Sequence, residues 1–506
     1  MNSENNLFSK FAANWDPDAT FLTTPAGEEY LYGDVLRLSG QVAQLLIDLG
    51  MQSGDRVSVQ AEKSIDYLWL YLGCLRGGFA FHPLNPAYTK IELDYFFNDA
   101  EPALVVYDPA NLSTASDVAS RAGVEQMCTM NGDGGGSFRD AYSAVASMEA
   151  VAPSKPDDIA ALLYSSGTTG QPKGIPLTHA NIAVNAQELA QAWAFSREDV
   201  LLHALPMFHT HGLFIALNCT FMSGSSVRYL PRFDAEKVID EFSNATVMMG
   251  VPTYFTRLLN SPRLDTAICE PIRLFTSGSA PLREDTFLEF ESRTGQTIVE
   301  RYGMSETVVL TSNPVNGERK AGTVGMALPS VSVRIADDDN KSLPIGDVGR
   351  IQVRGPNVFQ EYWRKPKKTA EDFTGDGYFD TGDQGRLDDD GYVSIVGRAK
   401  DLIISGGLNI YPIEVEQALN ESPLVQESAV IGVPHADFGE AVVAVVIVAP
   451  DVPFDEEQVR AFGRERLAGF KLPKRVIAID DLPRNAMGKV QKNLLRERYA
   501  DLMGKI

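Results

Sequence analysis

Ile159 to Gly174 reads IAALLYSSGTTGQPKG: an apolar run of strand composition, followed at once by a loop of small and hydroxylic residues that ends on a lysine. Gly167, Gly170 and Gly174 let the backbone turn tightly and point its N–H groups inward, the hydroxyls of Ser165, Ser166, Thr168 and Thr169 add donors, and Lys173 adds a positive charge. By composition this is a phosphate cradle. It lacks the Gly-Lys-Ser/Thr ending of a P-loop and is therefore not assigned to that class of NTPase.

Outward from this loop, β-rich runs at Leu104 to Tyr107, Ile159 to Tyr164, Val247 to Val251 and Leu274 to Ser277 alternate with helical stretches at Tyr30 to Leu49 and Asn181 to Trp193. The alternation predicts α/β layering with largely parallel sheets. After about Gly325 the pattern changes to short strands separated by polar turns (VSVRIADDDNKSLPIGDVGRIQVRG), which predicts a more antiparallel, barrel-like part over about 325–397. A second change falls at Gly397 to Lys400, where a strand ending in GRAKD leads into a last segment of about a hundred residues. The expected organisation is a large domain over 1–399 and a small α/β domain over 400–506. There is no internal repeat, and the single low-complexity patch, Asn131 to Ser137 (NGDGGGS), reads as a surface loop.

At 506 residues and 44% hydrophobic content the chain exceeds the length at which one core divides. A net charge of −22 argues against nucleic acid or an anionic membrane surface as the main partner, so any anionic nucleotide must be met by local donors and metal ions. Cys74, Cys128, Cys219 and Cys269 are far apart and fit no metal pattern, as expected of reduced thiols in a cytosolic protein. The start, MNSENNLFSKFAANWDPDA, lacks the basic-then-apolar layout of a signal peptide. The longest apolar run, Ala441 to Pro450, is half the length of a membrane span and rich in β-branched residues, so it reads as a buried strand. The expectation is a cytoplasmic protein.

Six more motifs accompany the loop: PMFHTHG at Pro206 to Gly212, SGSAPL at Ser277 to Leu282, ERYGMSE at Glu300 to Glu306, YFDTGD at Tyr378 to Asp383, GRAKDLIISGG at Gly397 to Gly407 and NAMGKV at Asn485 to Val490. In content and order the set resembles the adenylate-forming superfamily of acyl-CoA synthetases, adenylation domains and luciferases, over nearly the whole chain. The resemblance implies a large N-terminal region of layered sheets and helices, a small mobile C-terminal α/β domain hinged at Lys400, and ATP, Mg2+ and coenzyme A as cofactor and co-substrates.

The chemistry gives each motif a task. A carboxylate attacks the α-phosphate of ATP only when the surrounding negative charge is offset by a metal ion and positioned donors. By resemblance, Glu306 ligates magnesium, Thr168 and Ser305 face phosphate with their hydroxyls, Tyr302 stacks on adenine beside Gly303, and the backbone of Gly278, Ser279 and Ala280 reads the base edge. Ser305 departs from the family's usual threonine and keeps the hydroxyl. Asp383 is implied to accept both ribose hydroxyls, which suits a carboxylate's two oxygens, with Arg398 beside it. Lys489 is implied to be the catalytic lysine, bridging the carboxylate and the α-phosphate. Gly406 and Gly407 are implied to line the path of the incoming thiol.

For the acid, the pattern PMFHTHGLF, GVPTYFTRLL, SGSAPL, YGMSET resembles the malonyl-CoA synthetase branch, which also accepts methylmalonate. Arg257 falls in a segment that lines the acyl pocket in the family, where enzymes for fatty or aromatic acids mostly carry an apolar residue. A buried arginine needs an anion, and a second carboxylate on the substrate supplies one with a bidentate fit; His211, Ser279 and Met304 complete the expected pocket. The alternatives are a snorkelling Arg257 with a short monocarboxylic acid as substrate, and an adenylation module that loads a carrier protein. Lys471, Lys474 and Arg475 are basic candidates for the coenzyme A 3′-phosphate. Lys489 is also a candidate for reversible acetylation by a lysine acetyltransferase and deacetylase, which removes its charge.

Overall fold

The computed structural model describes residues 3–165, 172–405, 408–435, 438–485 and 488–503. The chain forms two compact units, one made of Met1–Ser332 with Arg354–Asp372 and the other of Val333–Val353 with Phe373–Ile506.

Two sheets build the first unit. The six-stranded sheet runs, in spatial order, Gln126–Thr129, Leu104–Tyr107, Arg56–Gln60, Ala80–Pro83, Ile159–Ser165 and Lys173–Thr178. Its first five strands are mutually parallel, and only the last pair is antiparallel. Strands such as Leu104–Tyr107 are buried along their whole length, as expected of parallel strands covered on both faces, which explains their continuous apolar composition. The nine-stranded sheet is parallel from Ile298–Tyr302 through Leu274–Ser277, Val247–Gly250, Val200–His203 and Ser226–Tyr229 to Thr20–Thr23, with antiparallel edges.

The expected helices form with shifted ends, at Tyr32–Asp48 and His179–Ala192. The second starts at a capping box: Thr178 Oγ1 accepts the Asn181 N–H at 3.1 Å, and Asn181 Oδ1 accepts the Thr178 N–H at 3.0 Å. This cap fixes the exit of the strand Lys173–Thr178, whose other end borders the Gly/Ser/Thr loop.

Gly349–Arg354, Phe379–Leu387 and Val393–Arg398 pair antiparallel in a four-stranded sheet that begins with Ser332–Ala336 and, apart from the terminal residues Ser332 and Arg354, belongs to the second unit. A five-stranded sheet follows, built on the long hairpin Val425–His435 with Gly439–Val448, so the apolar run near Ala441 is a buried strand. By compactness the four-stranded sheet groups with the C-terminal residues. The division at Lys400 concerns movement and remains a proposal. Among the described residues no helix is long and apolar enough to cross a membrane.

Candidate active site

Parallel sheets bind ligands in the crevice beyond the carboxyl ends of their strands. Three strands of the nine-stranded sheet deliver expected site residues at that edge. Val200–His203 leads to His211, Leu274–Ser277 leads to Gly278, Ser279 and Ala280, and Ile298–Tyr302 leads to Gly303, Met304, Ser305 and Glu306.

The loops meet through a short polar network. Ser279 holds φ at 72°, a left-handed conformation strained for a residue with a side chain, and its Oγ lies 3.3 Å from His211 Nδ1. His211 opens a π-helical turn, His211–Leu217, a device frequent at functional sites. Burial first, then the neighbouring Arg301 guanidinium, hold its imidazole well below the usual histidine range, so the ring is neutral. In the tautomer in which Ser279 donates to Nδ1 the proton sits on Nε2, an atom that is buried and has no partner among the described residues. His203, at the end of its strand, holds the carbonyl of Gly212 at 2.9 Å through Nε2 and so fixes the start of the π turn.

Arg301 is the central charge. It is 4% exposed, and among the described residues its Nε and one terminal nitrogen find no acceptor. Desolvation lowers even its guanidinium to about 10. A Cβ added at Gly278 would come within 2.5 Å of Arg301 Cζ, so glycine at 278 is what lets the guanidinium lie against the backbone of that loop.

Arg257 differs from its expected setting. It lies exposed in the helix Pro252–Leu259, whose buried face is Phe255, Leu258 and Leu259. The burial on which its reading rested is absent at 257 and present at 301. The physical reason is helical phase, since the inward positions of this short helix are taken by apolar side chains.

The carboxylate of Glu306 is also buried, at 4% exposure. The Tyr362 hydroxyl donates to its Oε1 at 3.3 Å and accepts from Lys173 Nζ at 2.9 Å. Tyr302 is buried, and the backbone at Gly303 is so tight that an added Cβ would lie 1.9 Å from the Val308 carbonyl. Ser165 ends the strand Ile159–Ser165 opposite Lys173, with its hydroxyl buried and without a partner among the described residues. Ser166, Gly167, Thr168 and Thr169 lie outside the described residues, as do Gly406 and Gly407. One buried hard carboxylate, Glu306, suits an ion such as magnesium that takes its remaining ligands from water and substrate phosphates.

In the second unit Asp383 and Arg398 face each other across an antiparallel pair, with Arg398 Nε 3.0 Å from Asp383 Oδ1 and the aspartate nearly buried. Loss of solvation and the Arg398 charge push the Lys400 ammonium down to about 8. Lys489 is exposed beside a tight turn: Asn485 N–H donates to the Lys489 carbonyl at 2.9 Å, and Asn485 Oδ1 accepts the Lys489 N–H at 3.0 Å. Of the three basic candidates for coenzyme A, Lys471 pairs with Glu414 and Arg475 with Glu456, while Lys474 Nζ lies 4.7 Å from the centre of the Phe438 ring.

The AMP-binding enzyme family matches residues 8–363, and its C-terminal domain matches residues 414–489. The chain belongs to this family. A crystal structure of ATP-bound MatB from Rhodopseudomonas palustris is 50% identical, covers 99% of this chain and 100% of that one, and superposes with a TM-score of 0.97. The malonate–CoA ligase of Arabidopsis thaliana is 36% identical over 93% of this chain and 85% of that protein. A long-chain-fatty-acid–CoA ligase of Bacillus subtilis is 33% identical over 96% of this chain and 92% of that protein. Relatives of similar identity are thus named for very different acids, and the choice among acids has to come from the site.

For this AMP-binding enzyme the residues that sequence reasoning missed are Arg301, Tyr362 and His203. Arg301 had a readable signal. It is a charged residue inside the strand Ile298–Tyr302, where alternation points it away from Glu300 and Tyr302, and a sheet covered on both faces makes that position interior.

Proposed function

We propose that this acyl-CoA synthetase is a malonate–CoA ligase: malonate, and methylmalonate, react with ATP and coenzyme A to give the acyl-CoA, AMP and diphosphate through an acyl-adenylate. The observation that carries the choice of acid is the buried Arg301 guanidinium, with orphaned donors beside Ser279 and the neutral His211. A buried unpaired charge costs several kcal/mol, and a second substrate carboxylate removes that cost while accepting the planar fork bidentately. A fatty or aromatic monocarboxylic acid leaves the guanidinium unsatisfied.

In this reading the residues divide the work. Arg301, Ser279 and His211 Nε2–H hold the distal carboxylate, which directs the other carboxylate toward the nucleotide. Tyr302, Gly303 and the backbone at 278–280 take adenine, Asp383 and Arg398 take the ribose, and Ser165, Ser166, Thr168, Thr169 and Ser305 donate to phosphates. Magnesium, when bound, offsets phosphate charge, and Glu306 holds it. Lys489 neutralises charge as the carboxylate and α-phosphate approach; its exposed side chain also makes it the residue we assign to regulation by acetylation. The small domain turns at Lys400 between adenylation and thioester formation, and Gly406 and Gly407 line the thiol's path. The setting we assign is the cytoplasm.

The test is AMP formation over a panel of short mono- and dicarboxylic acids, with and without coenzyme A, for the natural chain, Arg301→Leu and Arg257→Leu. Arg301→Leu is expected to lose about 30-fold or more in kcat/KM for malonate, the 2–4 kcal/mol of a charge-assisted contact, while gaining relative activity toward monocarboxylates. Arg257→Leu is expected to change little. Equal losses for both acid classes in Arg301→Leu would remove the dicarboxylate assignment, and AMP formation that ignores coenzyme A would favour carrier loading.

A further inference from the structure

Residues Arg354–Asp372 leave the second unit's strand order and pack with the first unit. Polar anchors hold this strap in place. Asn181 Nδ2 donates to the carbonyls of Pro356 at 2.7 Å and Val358 at 3.1 Å, and Asn357 Nδ2 donates to those of Thr307 at 2.8 Å and Val309 at 2.9 Å. The Phe359 N–H donates to the Glu306 carbonyl at 2.9 Å, and the Trp363 N–H donates to the Gly174 carbonyl at 2.8 Å. The strap therefore grips two separate pieces of the site by their main chains: the loop that carries Glu306 and the strand that carries Lys173.

Tyr362 occupies the gap between the two grips. It is 1% exposed, its ring packs edge-on against Phe359 with centroids 4.7 Å apart, and its hydroxyl is shared between Glu306 Oε1 and Lys173 Nζ. Lys173 Nζ also lies 4.1 Å from the centre of the same ring and 3.6 Å from Asp372. A single O–H thus fixes one carboxylate oxygen of the metal site and one cation of the phosphate loop in a common frame.

We propose that Tyr362 is a positioning residue that couples the two halves of the nucleotide site, so that occupation of the Lys173 side by phosphate strengthens divalent-cation binding at Glu306 and the reverse. The inference rests on the reading of Glu306 as the metal ligand. Linkage requires any such coupling to be reciprocal, which makes it measurable without turnover.

The experiment uses the full chain with Mn2+ as probe, followed by electron paramagnetic resonance, and a non-hydrolysable ATP analogue followed by calorimetry. In Tyr362→Phe, which keeps the ring and removes the hydroxyl, Mn2+ affinity at saturating analogue is expected to fall about tenfold. Metal-free analogue binding is expected to change less than about twofold, so the coupling factor itself falls. A merely structural role lowers the melting temperature and leaves the coupling factor as in the natural chain, and that result overturns the proposal. Should Tyr362→Phe not fold, Lys173→Gln reads the bridge from its other end: lowered Mn2+ affinity at saturating analogue supports the coupling, and unchanged affinity overturns it. Glu306→Gln separates the two levels. Mn2+ binding that survives this change removes the metal assignment itself, whereas binding lost in Glu306→Gln and kept in Tyr362→Phe removes only the coupling.

Discussion

Ser279 Oγ lies 3.3 Å from His211 Nδ1, joining loops that follow two different strands of one sheet. The serine holds this position at φ 72°, where a Cβ is strained. Strain retained at a hydrogen-bonded loop residue points to a side chain needed for what it touches, here the His211 imidazole, whose Nε2 is the donor in the tautomer in which Ser279 donates to Nδ1.

Two substitutions at 279 separate hydroxyl from backbone. Ser279→Ala and Ser279→Gly both remove the hydrogen bond and are expected to lower malonate kcat/KM by about tenfold, near 1.4 kcal/mol. Ser279→Gly also relaxes the backbone and is expected to unfold about 1 kcal/mol later than Ser279→Ala in urea titrations. Steady-state kinetics and the titrations check both halves. Equal stability of the two variants would contradict the strain argument, and undiminished kinetics would contradict the tautomer argument.

Gly278→Ala tests the seat of Arg301 without changing a polar group. The added methyl would lie 2.5 Å from Arg301 Cζ, so the guanidinium or the loop must move. A displacement of about 1 Å at an orienting group costs on the order of 100-fold in rate. The expected outcome is a large loss with malonate and a much smaller one with a short monocarboxylate, read from AMP release.

Glu300 gives the fold a pH dependence of known sign. It is buried, accepts the Leu282 N–H at 3.0 Å, and burial raises its carboxyl from 4.5 to about 8. Stability from the neutral carboxyl is fully present below 4.5 and is lost as pH rises toward about 8, because the unfolded chain releases a proton that the folded chain retains. Glu300→Gln keeps the acceptor and cannot ionise. Its stability advantage over the natural chain is expected to grow through that window by a few kcal/mol and to level off above it, as followed by melting temperature against pH. A difference independent of pH would show that the carboxyl is ionised throughout.

How much of this was legible beforehand depends on the length scale of the signal. The strands Leu104–Tyr107 and Leu274–Ser277 are visible because burial on both faces forces continuous apolar runs. Glu306, Asp383 and Lys489 are named only because their motifs resemble those of a family; by local chemistry alone they read as a solvated glutamate, a turn aspartate and an exposed lysine. Arg257 against Arg301 was not decidable that way: both are arginines next to motif residues, and only helix phase in one case and sheet burial in the other separates them. Tyr362 was invisible for a different reason. Its partners Lys173 and Glu306 lie 189 and 56 residues away along the chain, and no local pattern encodes a strap that returns between them.

Lys489 tests the division of labour between the half-reactions. Its side chain is exposed, and its backbone N–H donates to Asn485 Oδ1 at 3.0 Å. If its charge serves only the approach of carboxylate and α-phosphate, it matters to adenylation and not to thioester formation. Lys489→Ala is accordingly expected to lose about 100- to 1000-fold in malonyl-adenylate formation, near 3–4 kcal/mol. Conversion of supplied malonyl-adenylate to the thioester is expected to stay within about twofold of the natural chain. Lys489→Gln, which mimics the uncharged acetylated side chain, is expected to behave like Lys489→Ala in both steps. Single-turnover formation of labelled adenylate, measured apart from thioester release, provides the readout. A parallel loss in both steps would mean that the lysine maintains the site as a whole, and an unaffected adenylation would end its catalytic assignment and the regulatory one together.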